Sequence, residues 1–273
     1  MNWTGHKVIL RLLTPLHVGA GQAGNVQRVR PYVTGKALWG ALTARLTRDV
    51  PELGGDYVAV GQRVNTELAF SYFYPTVGEQ VAVWPWGETA DEFAWRYLHT
   101  YAATALNYSQ NTAEQGSLHE TEFIGPVTRD DAPVHLVGYV FERAGSVLPW
   151  QGALPRLQLG GERTYGWGRV AVIAIEPAGD RLFDAWTLHL DGAAPICQAA
   201  AGAFVLAHAL ATGPYAVANV SGTVEPLVGR ETSQAHRHGE QLRGAQICWA
   251  PGATIVREMR VALAPNGIWQ GVS

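Results

Sequence analysis

Leu159-Gly160-Gly161-Glu162-Arg163-Thr164-Tyr165-Gly166-Trp167-Gly168-Arg169-Val170-Ala171-Val172-Ile173-Ala174-Ile175 decides how the rest of the chain is read. Its glycine-dense first half is a loop, and the β-branched run that follows is a strand. Residues 150–159, just before it, read as a short helix stopped by Gly160-Gly161. Working outward, Val8-Ile9-Leu10-Arg11-Leu12-Leu13 reads as a first strand that Thr14-Pro15 ends. His17-Val18-Gly19-Ala20-Gly21-Gln22-Ala23-Gly24 follows as a second glycine-rich loop, without the spacing of a dinucleotide or P-loop motif. Arg28-Val29-Arg30-Pro31-Tyr32 is extended, because Pro31 disfavours helix at Arg30.

Leu38, Leu42 and Leu46 recur every fourth residue after Thr34, so a helix capped by Thr34 is predicted there. Residues 68–74 and 80–86 read as an aromatic hairpin around Pro75-Thr76-Val77-Gly78. Thr89-Ala90-Asp91-Glu92 reads as a capping box. It opens a helix to about residue 106, with Phe93, Tyr97, Tyr101 and Ala105 on one buried face. Residues 107–118 are expected to be a polar loop, and 121–124 and 134–142 strands. Past Pro177-Ala178-Gly179-Asp180 the chain looks β-rich, with one apolar helix expected near 195–211. The order is compatible with a ferredoxin-like (RRM-like) β-α-β-β-α-β core. The fold class expected is therefore α+β: a core domain over 1–178 with an insertion at about 51–117, then a β-rich region over 179–273.

The 273 residues are 47% hydrophobic and 16% charged, which excludes a disordered chain and allows one large domain or two small ones. No apolar run reaches the ~18 residues of a membrane span. The first residues lack a signal peptide's apolar stretch, so a cytoplasmic protein is expected. Cys197 and Cys248 are far apart and read as reduced, buried small hydrophobes.

The net charge of −3 conceals an asymmetry. Residues 1–48 hold no Asp or Glu but carry Lys7, Arg11, Arg28, Arg30, Lys36, Arg45 and Arg48. In an acidic protein, an anion must be held by locally placed groups. A basic segment leading into a helix N-terminus suits a phosphate backbone, and glycines let it approach the main chain. Arg163, Tyr165, Trp167 and Arg169 alternate guanidinium and aromatic groups, the types that neutralise and stack single-stranded RNA.

Three stretches in this order carry a resemblance. They are Thr14-Pro15-Leu16-His17-Val18-Gly19-Ala20-Gly21, Val33-Thr34-Gly35-Lys36-Ala37-Leu38-Trp39-Gly40-Ala41-Leu42, and the loop from Leu159 to Val170. They resemble the RAMP superfamily of CRISPR-associated proteins, with its "TPLHIGSG", "PGSSLKGALR" and "GGxRSxGxGxV" segments. Here Lys36-Ala37 stands for the serine pair and Trp39-Gly40 for the Lys-Gly. The likeness covers 8–50 and about 118–175, and hardly touches 51–117. Residues 243–255, including Pro251-Gly252-Ala253, resemble the late segment of Cas-Five-type cap subunits of type III and type III-derived complexes, with Ala253 in place of Ser.

The resemblance implies a non-catalytic RNA-binding subunit holding the 5′ repeat-derived handle of a guide RNA. Its partners would be backbone RAMP subunits and a nuclease or large subunit, with no cofactor, metal, membrane or small-molecule substrate. The RNA-binding residues expected are His17, Gly19, Gly21, Arg28, Arg30, Lys36, Arg163, Tyr165, Trp167 and Arg169. The alternative is a RAMP endoribonuclease, which processes guide precursors or cuts target RNA. His17 is the tempting catalytic residue but has no nameable acid–base partner. Asp130 and Asp131 could imitate a cleaving loop, though a solvated pair before Pro133 is the simpler reading. His236-Arg237-His238 has metal-compatible spacing without a third ligand.

Overall fold

The computed structural model describes residues 2–231 and 241–272. The chain is a mixed α+β protein with several sheets. Strand β1 (Trp3–Leu12) leads into a hairpin, β2 (Gly19–Ala23) and β3 (Val26–Val29). Helices α1 (Gly35–Asp49) and α2 (Tyr57–Glu67) follow, then β4 (Leu68–Phe70) and β5 (Tyr74–Thr76). Next come α3 (Ala90–Tyr97), β6 (Leu98–Ala103), the short strands β7 (Leu106–Asn107) and β8 (Thr112–Ala113), and β9 (His119–Ile124). Strand β10 (His135–Arg143), the one-turn α4 (Trp150–Ala153) and β11 (Val170–Pro177) complete this part. The remainder is β12 (Arg181–Leu182), β13 (Trp186–His189), β14 (Ile196–Ala199), β15 (Ala209–Leu210), β16 (Val220–Ser221), β17 (Val224–Glu231), β18 (Gln241–Trp249), β19 (Thr254–Ile255), β20 (Met259–Leu263) and β21 (Trp269–Gly271).

The central sheet has the order β11-β1-β10-β4, antiparallel throughout, with β5 also paired to β10. Alternation along the strands divides its side chains between two cores. Val8, Leu10, Leu12, Leu136 and Val140 pack on the helical side with Leu38, Leu42, Leu46, Val60 and Trp150. Trp3, Tyr139 and Phe141 join Trp186, Val261 and Trp269 on the other side, so the C-terminal strands cover the second face. Those strands form an eight-stranded sheet, β12-β13-β14-β20-β21-β15-β18-β17. Helix α1 is built as its sequence suggests: the Thr34 hydroxyl accepts from Ala37 N, and the three spaced leucines are fully buried. Burial of each contributes about 1.5–3 kcal/mol as an upper bound.

Several expectations are corrected. The glycine segment after β1 is not an irregular loop but the exposed hairpin β2–β3. Residues 80–86 form no strand, and β4 and β5 pair with β10 rather than within an aromatic hairpin. Helix α3 stops at Tyr97, and the Thr89 hydroxyl bonds the Trp84 backbone instead of capping it. Residues 98–103 are a strand because their backbone pairs with β9. Phe93 and Tyr97 are buried as expected, whereas Tyr101 is 58% exposed. The polar loop contains the small ladder β7–β8. The apolar helix near 195–211 is absent: β14 and β15 lie there, divided by the Gly202 turn, because facing sheet partners satisfy this backbone. Both cysteines are buried with free thiols. His236, Arg237 and His238 lie outside the described residues.

The glycine loop before β11 is fastened to the segment that follows β1. Gly161 N donates to His17 O (2.8 Å), Gly168 N to Pro15 O (2.7 Å) and Leu159 N to Gly168 O (2.8 Å). The Thr14 hydroxyl donates to Gly166 O (3.0 Å) and accepts from Arg169 N (2.9 Å). Gly160 and Gly168 have positive φ, and a Cβ would overlap the His17 carbonyl at the first and the Leu159 carbonyl at the second. Gly166 has a similar φ of 82° but open space around it. Gly166→Ala should therefore cost only the left-handed strain, about 1–2 kcal/mol. Gly168→Ala should cost about 1–3 kcal/mol more through overlap with backbone. Urea unfolding of the two variants measures the difference, and equal losses would contradict the close docking.

Candidate nucleic-acid interface

The expected site residues fall into four places. His17 sits at the junction, 6% exposed, with Nδ1 at 2.7 Å from Glu122 O. Gly19 and Gly21 are exposed on β2 beside it. Gly19, Arg30 and Lys36 line a cleft of about 560 Å³, together with Tyr72 and residues of β17 and β18. Tyr165 and Trp167 line a second cleft, and Arg169 a third groove along β11. The 28–36 and 163–169 segments thus share the His17 junction but open into different clefts.

Pairing changes the meaning of the two arginines singled out in the basic segment. Arg28 Nε lies 3.1 Å from a Glu122 carboxylate oxygen, which also accepts from Val29 N (3.2 Å). Arg30 is 14% exposed at its side chain and lies 2.9 Å from Glu225. Both partners come from distant sequence, so the acid-free segment is not acid-free in space. Lys36, Arg163 and Arg169 have no ion pair among the described residues, and all three are exposed. These three remain available for phosphate contacts.

Arg30 belongs to a buried network that sequence reasoning missed. His208, from the C-terminal region, is fully buried between the Tyr72 hydroxyl (2.6 Å from Nδ1) and the Glu225 carboxylate at Nε2. Tyr32 packs edge-on against Tyr74 and His208, and its hydroxyl receives Arg30 at 3.4 Å. Burial pushes His208 below its ordinary value, against the Glu225 hydrogen bond acting the other way. The hydrogen bond from His208, aided by Arg30 and opposed by burial, holds Glu225 down at about 2. Burial pushes the Tyr32 phenol up to about 12 and Tyr72 well above its usual range. A neutral imidazole that accepts from Tyr72 and donates to an Arg30-paired Glu225 satisfies all of these groups.

The Tyr165–Trp167 cleft has a floor the sequence did not announce. Register places His99 opposite Phe123, Tyr101 opposite Thr121 and Ala103 opposite His119, all on one face of the four-stranded sheet β2-β3-β9-β6. Trp167 descends on that face, 5.1 Å from the Phe123 ring centroid and 6.2 Å from Tyr101. No short motif signals this, because the strand carrying Tyr101 matched a helical spacing.

No protein-family model matches the chain, and no curated protein matches it in sequence. Among solved structures, it is similar to a chain of the cryo-EM structure of the Type III-B Cmr-beta bound to cognate target RNA and AMPPnP, state 1. The TM-score is 0.52 at 11% identity, over 91% of this chain and 85% of that one. A chain in the structure of the Type III-B Cmr-beta bound to cognate target RNA matches at TM-score 0.42 and 11% identity, covering 62% of this chain and 96% of that one. At 11% identity the first likeness is one of fold. No helix among the described residues is long and apolar enough to cross a membrane.

The network makes stability acid-sensitive in two ranges. His208, lowered from 6.5, contributes stability that is present above that pH and declines as pH falls toward its folded value. The Glu225 contribution is present above 4.5 and is lost as pH falls through about 2. Thermal melts across this range should show both declines, and Glu225→Gln should abolish the lower one. A lower decline unchanged in Glu225→Gln would contradict the assignment.

Proposed function

We propose that this chain is a non-catalytic RNA-binding subunit of a type III CRISPR ribonucleoprotein, holding the 5′ repeat-derived handle of the guide RNA and capping the complex. Residues 1–178 are then a ferredoxin-like RAMP core, extended by the insertion at about 51–117, and 179–273 a β-rich region packed on it. Backbone subunits and a large or nuclease subunit would be its partners, in the cytoplasm. The carrying observation is the direct docking of the segment 14–17 on the glycine loop 160–168 through main-chain hydrogen bonds. The two stretches that most resemble RAMP text form one continuous surface. The fold likeness to a chain of the Cmr-beta structure supports the same reading.

The non-catalytic assignment rests on how the tempting groups are used. His17 is buried and its Nδ1 is bonded to a main-chain carbonyl, which suits a group that fixes the junction. Asp130 is exposed in the turn 128–132, and its carboxyl lies below the usual range because the Thr128 hydroxyl hydrogen-bonds it. The His17 hydrogen bond is to a main-chain carbonyl rather than to a second acid–base group, and Asp130, beside Asp131, faces Arg96 at 3.8 Å.

The purified chain should bind guide RNA without cutting it, with or without divalent metal. Cleavage lost on His17→Ala would favour the endoribonuclease instead. Phosphate contacts should come from Lys36 and Arg163. Replacing both by Ala should weaken binding and reduce the salt slope by about 1.4, at about 0.7 per neutralised phosphate on a single strand. Titrations at several salt concentrations read this directly, and an unchanged slope would remove these two residues from the RNA path. Arg30→Ala is expected to act differently, by lowering thermal stability, because it leaves Glu225 and His208 without their cation.

A further inference from the structure

The cleft between the β6–β9 face and the glycine loop has a volume of about 730 Å³, within the range of built small-molecule sites. Two aromatic side chains lining this cleft are largely exposed, Tyr101 at 58% and Tyr165 at 80%. Trp167 lines the same cleft with its main chain fixed: Gln158 Nε2 donates to Trp167 O at 2.9 Å, and the next residue is locked by the Gly168 bond to Pro15. The rings are thus presented on a rigid frame, which lowers the ordering cost of a planar ligand.

Charge selects what enters. Among the described residues, Glu162 is the one carboxylate that lines the cleft, held in the left-handed conformation at φ 54°. A phosphate is repelled there, whereas the N–H edge of a nucleobase finds an acceptor. The adjacent Arg163 is exposed outside the cleft, where a backbone phosphate would lie. We propose that the Tyr101–Trp167–Tyr165 cleft receives one unpaired nucleobase of single-stranded RNA, stacked among these rings with Glu162 at its polar edge. This inference rests on the RNA-binding reading and adds a base-receiving site separate from the Lys36 cleft.

The test uses the full chain with a short single-stranded RNA of mixed sequence and the same strand annealed to its complement. Tyr165→Ala, Tyr101→Ala, Trp167→Ala and Trp167→Phe are compared at several salt concentrations, with melting temperatures. Loss of one stacked base should weaken single-strand binding by about 5- to 150-fold. The salt slope and duplex affinity should stay unchanged, and Trp167→Phe should retain most of the affinity. Tyr165 is too exposed for its truncation to unfold the protein, so that variant remains decisive if Trp167→Ala is destabilised. Wild-type affinity in both tyrosine variants would overturn the inference while leaving RNA binding standing, and would leave the cleft to a protein partner. Failure of the wild-type chain to bind either RNA would overturn the RNA-binding reading and this site with it.

Discussion

The hydrogen bonds that join the end of β1 to the glycine loop before β11 are the constraint on which the candidate surface depends. Two adjacent strands of a sheet must turn back over the same edge, and their main chains come close enough for direct N–H to carbonyl bonding. That approach leaves no room for a Cβ at Gly160 or Gly168. The loop therefore has little freedom: Arg163 to Tyr165 are turned outward, and Trp167 is laid against Phe123. Polar satisfaction inside the junction and presentation of side chains outside it are consequences of one packing requirement.

The second constraint joins the ends of the chain. The central sheet has helices on one face and the C-terminal strands on the other, so neither face is left bare. Across the second contact run the buried bonds from Tyr72 to His208 and from Tyr74 to Leu206 O. Groups buried this way are costly if any partner is lost. The Lys36 cleft is walled by both parts of the chain, which makes its shape dependent on the same contact.

Much of the central sheet was legible because its signals are local. Thr34 and three leucines at four-residue spacing specify α1 wherever they occur, and the run after Arg169 can hardly be anything but a strand. The pairing of charges was not legible. Glu122 and Glu225 lie far along the chain from Arg28 and Arg30: the β3–β9 ladder brings Glu122 to Arg28, and the packing of the C-terminal strands against the first part of the chain brings Glu225 to Arg30. Tyr101 was misplaced because Phe93, Tyr97 and Tyr101 keep a helical period across a helix end that is set by strand pairing. Segment 195–211 misled for a related reason: residues 205–210 are buried in an unbroken run, and such a run carries no periodicity to separate helix from strand. The candidate site was visible as a set of residue types, while its division among separate clefts was a product of topology.

The central claim is that RNA follows the surface made by the 14–21 and 159–169 segments. Photo-crosslinking of a guide RNA carrying 4-thiouridine at successive positions, with the attached peptides identified by mass spectrometry, tests this on the intact chain. The account predicts adducts concentrated in the peptides containing Gly19, Lys36 and residues 163–167. Adducts confined to the outer C-terminal strands β12–β14, with those peptides unmodified, would contradict it.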